Sequence, residues 1–447
     1  MNAISASSAA ARFHAPSASE RWYVLGVMCL IYALNVADRY VVSTVLEPIR
    51  LELGLNDAGV AFLTGVPLAL FYVSFGLPIS WLADHRNRRN IVASALLLWS
   101  AFTVVCGLSR TYLQFLCARI GVGVGEAGGL PPSSSIVSDY FAAHRRPMAF
   151  TVLALGAPIG AWLAADVAGA IAHAYGWRAV FLALGVPGVA LGALVLATIR
   201  EPARGRLDAA GAHASAGSSL WSAAQFLWRQ RAAFHVLMGC GICSLWGWGL
   251  IWWTPAFLMR MYGLDVGQAG AVTGPMHLFG GIAASVGTAW LLSRPFMRAP
   301  RRLLWLLAAG VSLATLPSFL AYWTHALWAA KLMLWLFIPA IYFFIGPCMG
   351  LLQNLAPARY RSMFIALSLL VGNVLNLIVA PQAVGLLSDY FAHGQPTDSA
   401  SLRLALLILA PTGLWAVAHF CLAQRTIIAD LARAGLGSAA AHAGATA

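Results

Sequence analysis

Residues 22–46 read WYVLGVMCLIYALNVADRYVVSTVL. The run is apolar or aromatic up to Leu34, and then Asn35, Asp38 and Arg39 interrupt it. A bilayer core about 30 Å thick needs about 20 apolar residues as helix. At 1.5 Å per residue, Asp38 lies about 24 Å from Trp22, past the middle of the span. A charged side chain at that depth costs about 2.5–3.5 kcal/mol on insertion scales, so it marks function by default. This stretch therefore poses two questions: how many such spans follow, and what their buried charges do.

The same ruler, carried along all 447 residues, predicts twelve spans. They lie near 22–46, 58–82, 91–109, 112–137, 148–172, 178–199, 232–257, 267–292, 303–323, 326–353, 362–387 and 402–423. The expected fold is an all-α integral membrane protein. Composition agrees: 60% of residues are hydrophobic and 10% charged, whereas a soluble domain carries about 25% charged residues. That excludes a soluble enzyme, a nucleic-acid binder and a disordered scaffold. All seven cysteines fall in apolar stretches, so no disulfide framework is expected.

The polar segment 200–231 divides the spans into two halves of six, 22–199 and 232–424, flanked by tails 1–21 (read as disordered) and 425–447. With the N-terminus inside, the inner segments hold 20 of the 28 basic residues and the outer ones five. The positive-inside rule then places both termini in the cytoplasm, as in a bacterial inner membrane protein. Span 5 is entered through Arg145-Arg146-Pro147-Met148 and span 11 through Tyr360-Arg361-Ser362-Met363, the kind of internal repeat transporters show. The tetrapeptide Ser-Asp-Tyr-Phe at 138–141 and 388–391 is out of phase with that repeat and reads as chance.

Span 4 carries Arg119 and Glu126, seven residues apart and hence on one helix face. One reading makes Asp38–Arg39 and Arg119–Glu126 local ion pairs that hold the bundle together. The other makes a carboxylate beside an arginine a proton site, because burial favours the neutral acid and the guanidinium favours the charged one. Gly121, Gly123, Gly125, Gly128 and Gly129, followed by Pro131 and Pro132, make the segment around Glu126 deformable. Gly156-Ala-Pro158-Ile-Gly160 predicts a second bend, in span 5.

The proton-coupling set is Asp38, Glu126, Arg39 and Arg119, and which acid carries the proton stays open. The substrate-cavity set is Asn35, Trp246, Trp248, His277, Asn373 and Asn376. Trp246 and Trp248 could face either lipid or an aromatic-walled cavity, and Asn373 and Asn376 serve either helix packing or substrate contact. Trp252 and Trp253 suit an interfacial belt. Asp166 is read as either a cavity or a boundary acid, and Lys331 as snorkelling to the outer headgroups. His277 and His419 each stand without a second ligand at metal spacing, and Cys240-Gly-Ile-Cys243 lacks a redox context. No phosphate-loop, zinc-protease or nucleophile-elbow pattern occurs. The expectation is therefore no enzyme, no cofactor and no metal.

Twelve spans in two halves, with Leu82-Ala83-Asp84-His85-Arg86-Asn87-Arg88-Arg89 between spans 2 and 3, resemble the major facilitator superfamily. Ser80 and Asn87 stand where that family usually has glycine. The resemblance implies that Asp84, Arg88 and Arg89 gate by latching the inner side of the two halves, and that Arg119, followed by Gly123, is tied to proton coupling. Asn35-Val-Ala-Asp38-Arg39-Tyr40 and Gly123-Val-Gly125-Glu126-Ala127 are similar to the spinster-like branch. That likeness implies coupling through the acids matching Asp38 and Glu126, and lysolipid or sphingoid substrates in some members.

The expected protein is a monomeric secondary transporter working by alternating access. Its expected partners are protons, membrane lipid and an amphipathic or hydrophobic organic molecule, and no nucleic acid. An uncoupled facilitator and a non-transporting membrane receptor are the alternatives.

Overall fold

The computed structural model describes residues 17–141, 145–203, 220–357 and 360–433. Most of the two tails and half of the central polar segment, residues 204–219, lie outside the described residues. Among the described residues, eleven helices are long and apolar enough to cross a membrane: Ala18–Thr44, Asp57–Gly76, Arg88–Leu108, Met148–Tyr175, Trp177–Thr198, Arg231–Tyr262, Val266–Leu292, Pro300–Trp323, Leu327–Leu355, Met363–Phe391 and Ser399–Leu431. The remaining crossing, span 4, is broken into Tyr112–Glu126 and Leu130–Tyr140. Spans 1–6 and 7–12 form two six-helix halves.

Loop residues set where the helices begin. Asn56, Asn87 and Thr111 each accept a backbone N–H three residues ahead, at 2.9, 2.9 and 3.3 Å, starting spans 2, 3 and 4. Asp265 and Asp398 form reciprocal capping boxes at spans 8 and 12. Each arrangement satisfies donors that no intrahelical carbonyl can reach. The two predicted soft spots are both interrupted. Span 4 leaves helix at Ala127–Gly129, directly after Glu126, and span 5 shifts register at Leu155. Spans 5, 8 and 11 each contain a π-helical turn, at Leu163–Val167, Met276–Gly280 and Val374–Val379. Such turns re-aim side chains and are frequent at functional sites.

The loops joining spans 2–3, 8–9 and 10–11 define an arginine-rich face, and the opposite face is arginine-poor. Hydrogen bonds between the halves run from mid-bundle to the arginine-poor face. Ser43 Oγ donates to the Trp252 carbonyl at 2.7 Å, and Asn376 Nδ2 to Tyr40 Oη at 2.9 Å. Asp389 accepts the backbone N–H groups of Asp57 and Ala58, both at 3.0 Å. Backbone approaches backbone at Gly65, where a Cβ would stand 2.5 Å from the Leu377 carbonyl oxygen. The halves are thus zipped together on the arginine-poor side.

Two expectations change. Trp252 and Trp253 are 1% and 0% exposed, so they form no interfacial belt. Trp253 donates to the Pro381 carbonyl at 3.1 Å, and Trp252 packs against Tyr40 of the first half. Packing across the halves for Trp252, and within the second half for Trp253, buries what hydropathy alone assigns to the lipid boundary. His419 is not alone either: its Nδ1 lies 3.0 Å from Nδ1 of His235 on span 7.

Candidate functional site

The charged residues of spans 1 and 4 pair across the helices rather than along them. Arg39 donates through Nε (3.2 Å) and Nη2 (2.8 Å) to a single oxygen, Glu126 Oε2. Arg39 Nη2 also reaches Asn35 Oδ1 at 3.4 Å, and the guanidinium lies 4.6 Å from the Tyr72 ring centroid. Glu126 Oε1 and Asn35 Nδ2 are buried with no protein partner. Arg39 therefore engages this carboxylate through one oxygen rather than in a two-oxygen fork.

Asp38 points elsewhere. It is 2% exposed and lies against Trp99 and Thr103 of span 3, beside Arg119. Arg119 donates to backbone carbonyls, Asp38 O at 3.4 Å and Thr64 O at 3.3 Å. Asp38 Oδ1, Arg119 Nε and Trp99 Nε1 are buried without a hydrogen-bond partner. A buried polar group left unmatched costs about 1–3 kcal/mol. Together with Glu126 Oε1 and Asn35 Nδ2, these unmatched atoms surround the two acids.

The second half answers with aromatics. Tyr40 of span 1 stacks on Trp248 of span 7, with centroids 4.6 Å apart. Trp248 lies parallel to the His277 ring at 6.3 Å and meets Tyr342 edge-on at 5.6 Å. His277 Nδ1 and Tyr342 Oη are 2.9 Å apart. A cavity of about 20 Å³, lined by residues that include Tyr40, Ser43, Trp248, Thr273 and His277, lies in this wall. His277 and Asn376 both belong to π-helical turns, which brings these polar groups to the interface between the halves.

The remaining sequence candidates are placed as follows. Asn373 is half-buried at the end of the helical segment before the span 11 π-turn. Trp246 turns to the back of the second half, where it donates to Ser318 Oγ at 3.0 Å and packs on Phe337. Asp84 lies in the last turn of the Asp57–His85 helix, with its side chain outside the described set. Arg88 bonds Asp139 at 2.6 Å and Glu201 at 2.8 Å, and Arg89 reaches the Leu196 carbonyl. These partners lie in the first half or, for Glu201, at the start of the segment that follows it. Asp166 accepts from Trp162 Nε1 at 2.9 Å, and Lys331 is exposed.

A second charge cluster went unnoticed in the sequence. Arg260, in the last turn of span 7, donates to both carboxylate oxygens of Asp57 (2.8 and 2.7 Å) and to Glu47 (2.6 Å). Arg50 binds Glu47 at 2.6 Å, and Ser388 donates to Asp57 at 2.7 Å. The partners are up to 331 residues apart and sit at span ends, where a search for charges within spans does not look. Asp139 and Asp389, the acids of the repeated Ser-Asp-Tyr-Phe, also have work. Asp139 holds Arg88 at the arginine-rich face, whereas Asp389 binds the first half at the arginine-poor face.

A two-half helical bundle, zipped along one side of a seam that holds buried charges, defines a membrane transporter. The Major Facilitator Superfamily pattern matches residues 28–381, and the chain belongs to that family. It is similar to an MFS-type efflux pump of Mycolicibacterium smegmatis, 28% identical over 90% of this chain and 93% of the relative. It is also similar to a sphingosine-1-phosphate transporter of Mus musculus, 27% identical over 52% of this chain and 43% of that protein. Among solved structures, it matches a bacterial homolog of the human lysosomal transporter Spinster in an inward-facing, unoccupied conformation. There the TM-score is 0.81 at 27% identity, over 93% of this chain and 99% of that one.

Proposed function

We propose that this protein is a proton-coupled secondary transporter that moves an amphipathic organic molecule by alternating access. The observation that carries the reading is the under-satisfied Arg39–Glu126 pair, next in sequence to Tyr40, which stacks on Trp248 of the other half. A carboxylate held through one oxygen by one arginine can exchange that arginine for a proton when the seam rearranges, and an anionic substrate headgroup can take the arginine in its place. Asp38, shielded behind span 3, is the second proton candidate, with Arg119 as its counter-charge. Trp248, Tyr40, His277 and Tyr342 offer faces for an apolar chain, with Asn35, Asn373 and Asn376 as polar contacts.

The zipped arginine-poor side corresponds to an inward-facing state, in keeping with the conformation of the solved neighbour. In that reading the arginine-rich face is cytoplasmic, Arg260 with Glu47 and Asp57 closes the outer gate, and Asp84, Arg88 and Arg89 form the corner that the second half meets when the inner side closes. Lysolipids and sphingoid bases are the first substrates to test, a choice motivated by the mouse relative.

A thermal-shift screen of purified protein with lysolipids, sphingoid bases and amphipathic cations, at about pH 6 and about pH 8, spans the range in which a coupled acid must titrate to work. The expected result is a ligand whose stabilisation changes with pH in the wild type and not in Glu126→Gln. The same pH response in both proteins would remove Glu126 from the mechanism.

A further inference from the structure

The connection between the halves contains the short helix Leu220–Arg229, of sequence LWSAAQFLWR. Ala223 and Leu227 are buried against the bundle, and Phe226 packs on Tyr360 and Phe364 at 5.4 and 6.3 Å. The opposite side is unlike an ordinary solvated face. Trp221 and Trp228 are each 72% exposed, and at seven residues apart they lie about 20° from one another around the helix. Arg229 and Arg231 follow them, both exposed.

The level of this helix is fixed by its neighbours. Only Gln230 separates it from Arg231, where span 7 begins, and its buried face rests on the first turn of span 11. It therefore lies where the spans leave the hydrocarbon on the arginine-rich face, among lipid headgroups. Tryptophan concentrates at that level because its ring is apolar and its N–H is wet.

We propose that Leu220–Arg229 lies along the arginine-rich membrane surface as an interfacial anchor. Trp221 and Trp228 sink among the headgroups, while Arg229 and Arg231 contact the phosphates of anionic lipids. The partner is the lipid surface rather than a protein: paired indoles with adjoining arginines, continuous with the lipid-facing ends of the spans, match an anionic headgroup layer. The anchor holds the start of the second half at constant depth while the halves move. It does not depend on which substrate is carried or on proton coupling.

The test uses full-length protein labelled with 5-fluorotryptophan, in nanodiscs of phosphatidylcholine with or without phosphatidylglycerol. Trp221→Phe and Trp228→Phe, conservative changes at exposed sites, assign the two fluorine lines. A doxyl-labelled phosphatidylcholine spin-labelled near the headgroup should broaden both lines at least about twofold more than a water-soluble gadolinium chelate does, as interfacial burial requires. Arg229→Gln with Arg231→Gln should reduce the lipid broadening in the anionic discs to its value in neutral discs. Lines broadened by the chelate and not by the lipid would place the helix in water and overturn the proposal. Lines silent to both reagents would mean a protein covers the tryptophans, which overturns it equally. Unchanged lipid broadening in the double-glutamine variant would overturn the role of the arginines.

Discussion

Two of the arginine–carboxylate clusters in this protein are built in opposite ways. At the arginine-poor face, Arg260 grips Asp57 with two nitrogens on two oxygens and also holds Glu47, and Ser388 and Arg50 complete the set. This cluster joins the halves. At mid-bundle, Arg39 reaches one oxygen of Glu126 within the first half, and the neighbouring acids and amide keep unmatched atoms. A satisfied network fixes one arrangement, whereas a partly satisfied one tolerates another at little further cost. Under the proposed function, the first cluster is a lock and the second a working site.

The largest expected effect comes from breaking the lock. Arg260→Met leaves buried Asp57 with Ser388 and a more distant Arg50 at 3.7 Å, and Glu47 with Arg50 alone, which costs the sealed state about 3–5 kcal/mol. A Ser43→Cys probe should then become reactive to an impermeant maleimide added from the arginine-poor side. Arg39→Met, at the other cluster, should leave that probe protected; equal reactivity in both backgrounds would erase the distinction.

A smaller effect separates seam from scaffold. Gly65→Ala drives a Cβ into the Leu377 carbonyl of the opposite half, while Gly160→Ala meets the Ala33 carbonyl within its own half. Each overpacking costs about 1–3 kcal/mol. Gly65→Ala should expose the Ser43→Cys probe with little change in unfolding temperature. Gly160→Ala should lower the unfolding temperature and leave the probe protected.

On the aromatic wall, Trp248→Leu removes stacking worth about 0.5–1.5 kcal/mol, so ligand affinity should fall up to about tenfold. Trp246→Phe, behind the wall, should cost stability and leave affinity unchanged. Isothermal titration with whichever ligand the thermal-shift screen identifies checks both.

The smallest effect lies at the rim. The Trp177 indole N–H, with Arg178, holds the Glu52 carboxyl below its usual range. Its stabilisation is fully present above the unfolded acid's value of about 4.3 and is lost as pH falls through the lower folded value. The difference in melting temperature between wild type and Glu52→Gln should therefore be small at neutral pH and vanish in strong acid.

These contrasts were unevenly legible in the sequence. Most span bounds were readable to within a few residues, because a lipid-exposed helix must be apolar over a fixed length, while span 12 runs on to Leu431, well past its expected end at 423. Glu126 and Asp38 stood out because charge at depth is rare. Their partners did not: the 3.6-residue period pairs residues along one helix and is silent about Arg39 crossing to Glu126. Arg260 and Asp57 looked like ordinary span-end residues, since each needs the other half to become buried. Trp246 and Trp248 are two positions apart with equal hydropathy, and only the packed helix assigns one to the back of the half and the other to the seam.

The central claim is that Glu126 exchanges its arginine for a proton during transport while Asp57 does not. Purified protein in liposomes, loaded with the ligand the screen identifies, allows counterflow and gradient-driven flux to be measured in the same preparation. The account predicts that Glu126→Gln keeps counterflow and no longer responds to an imposed pH gradient, while Asp57→Asn keeps its response to the gradient with an altered rate. A Glu126→Gln protein that follows the gradient as the wild type does would contradict it.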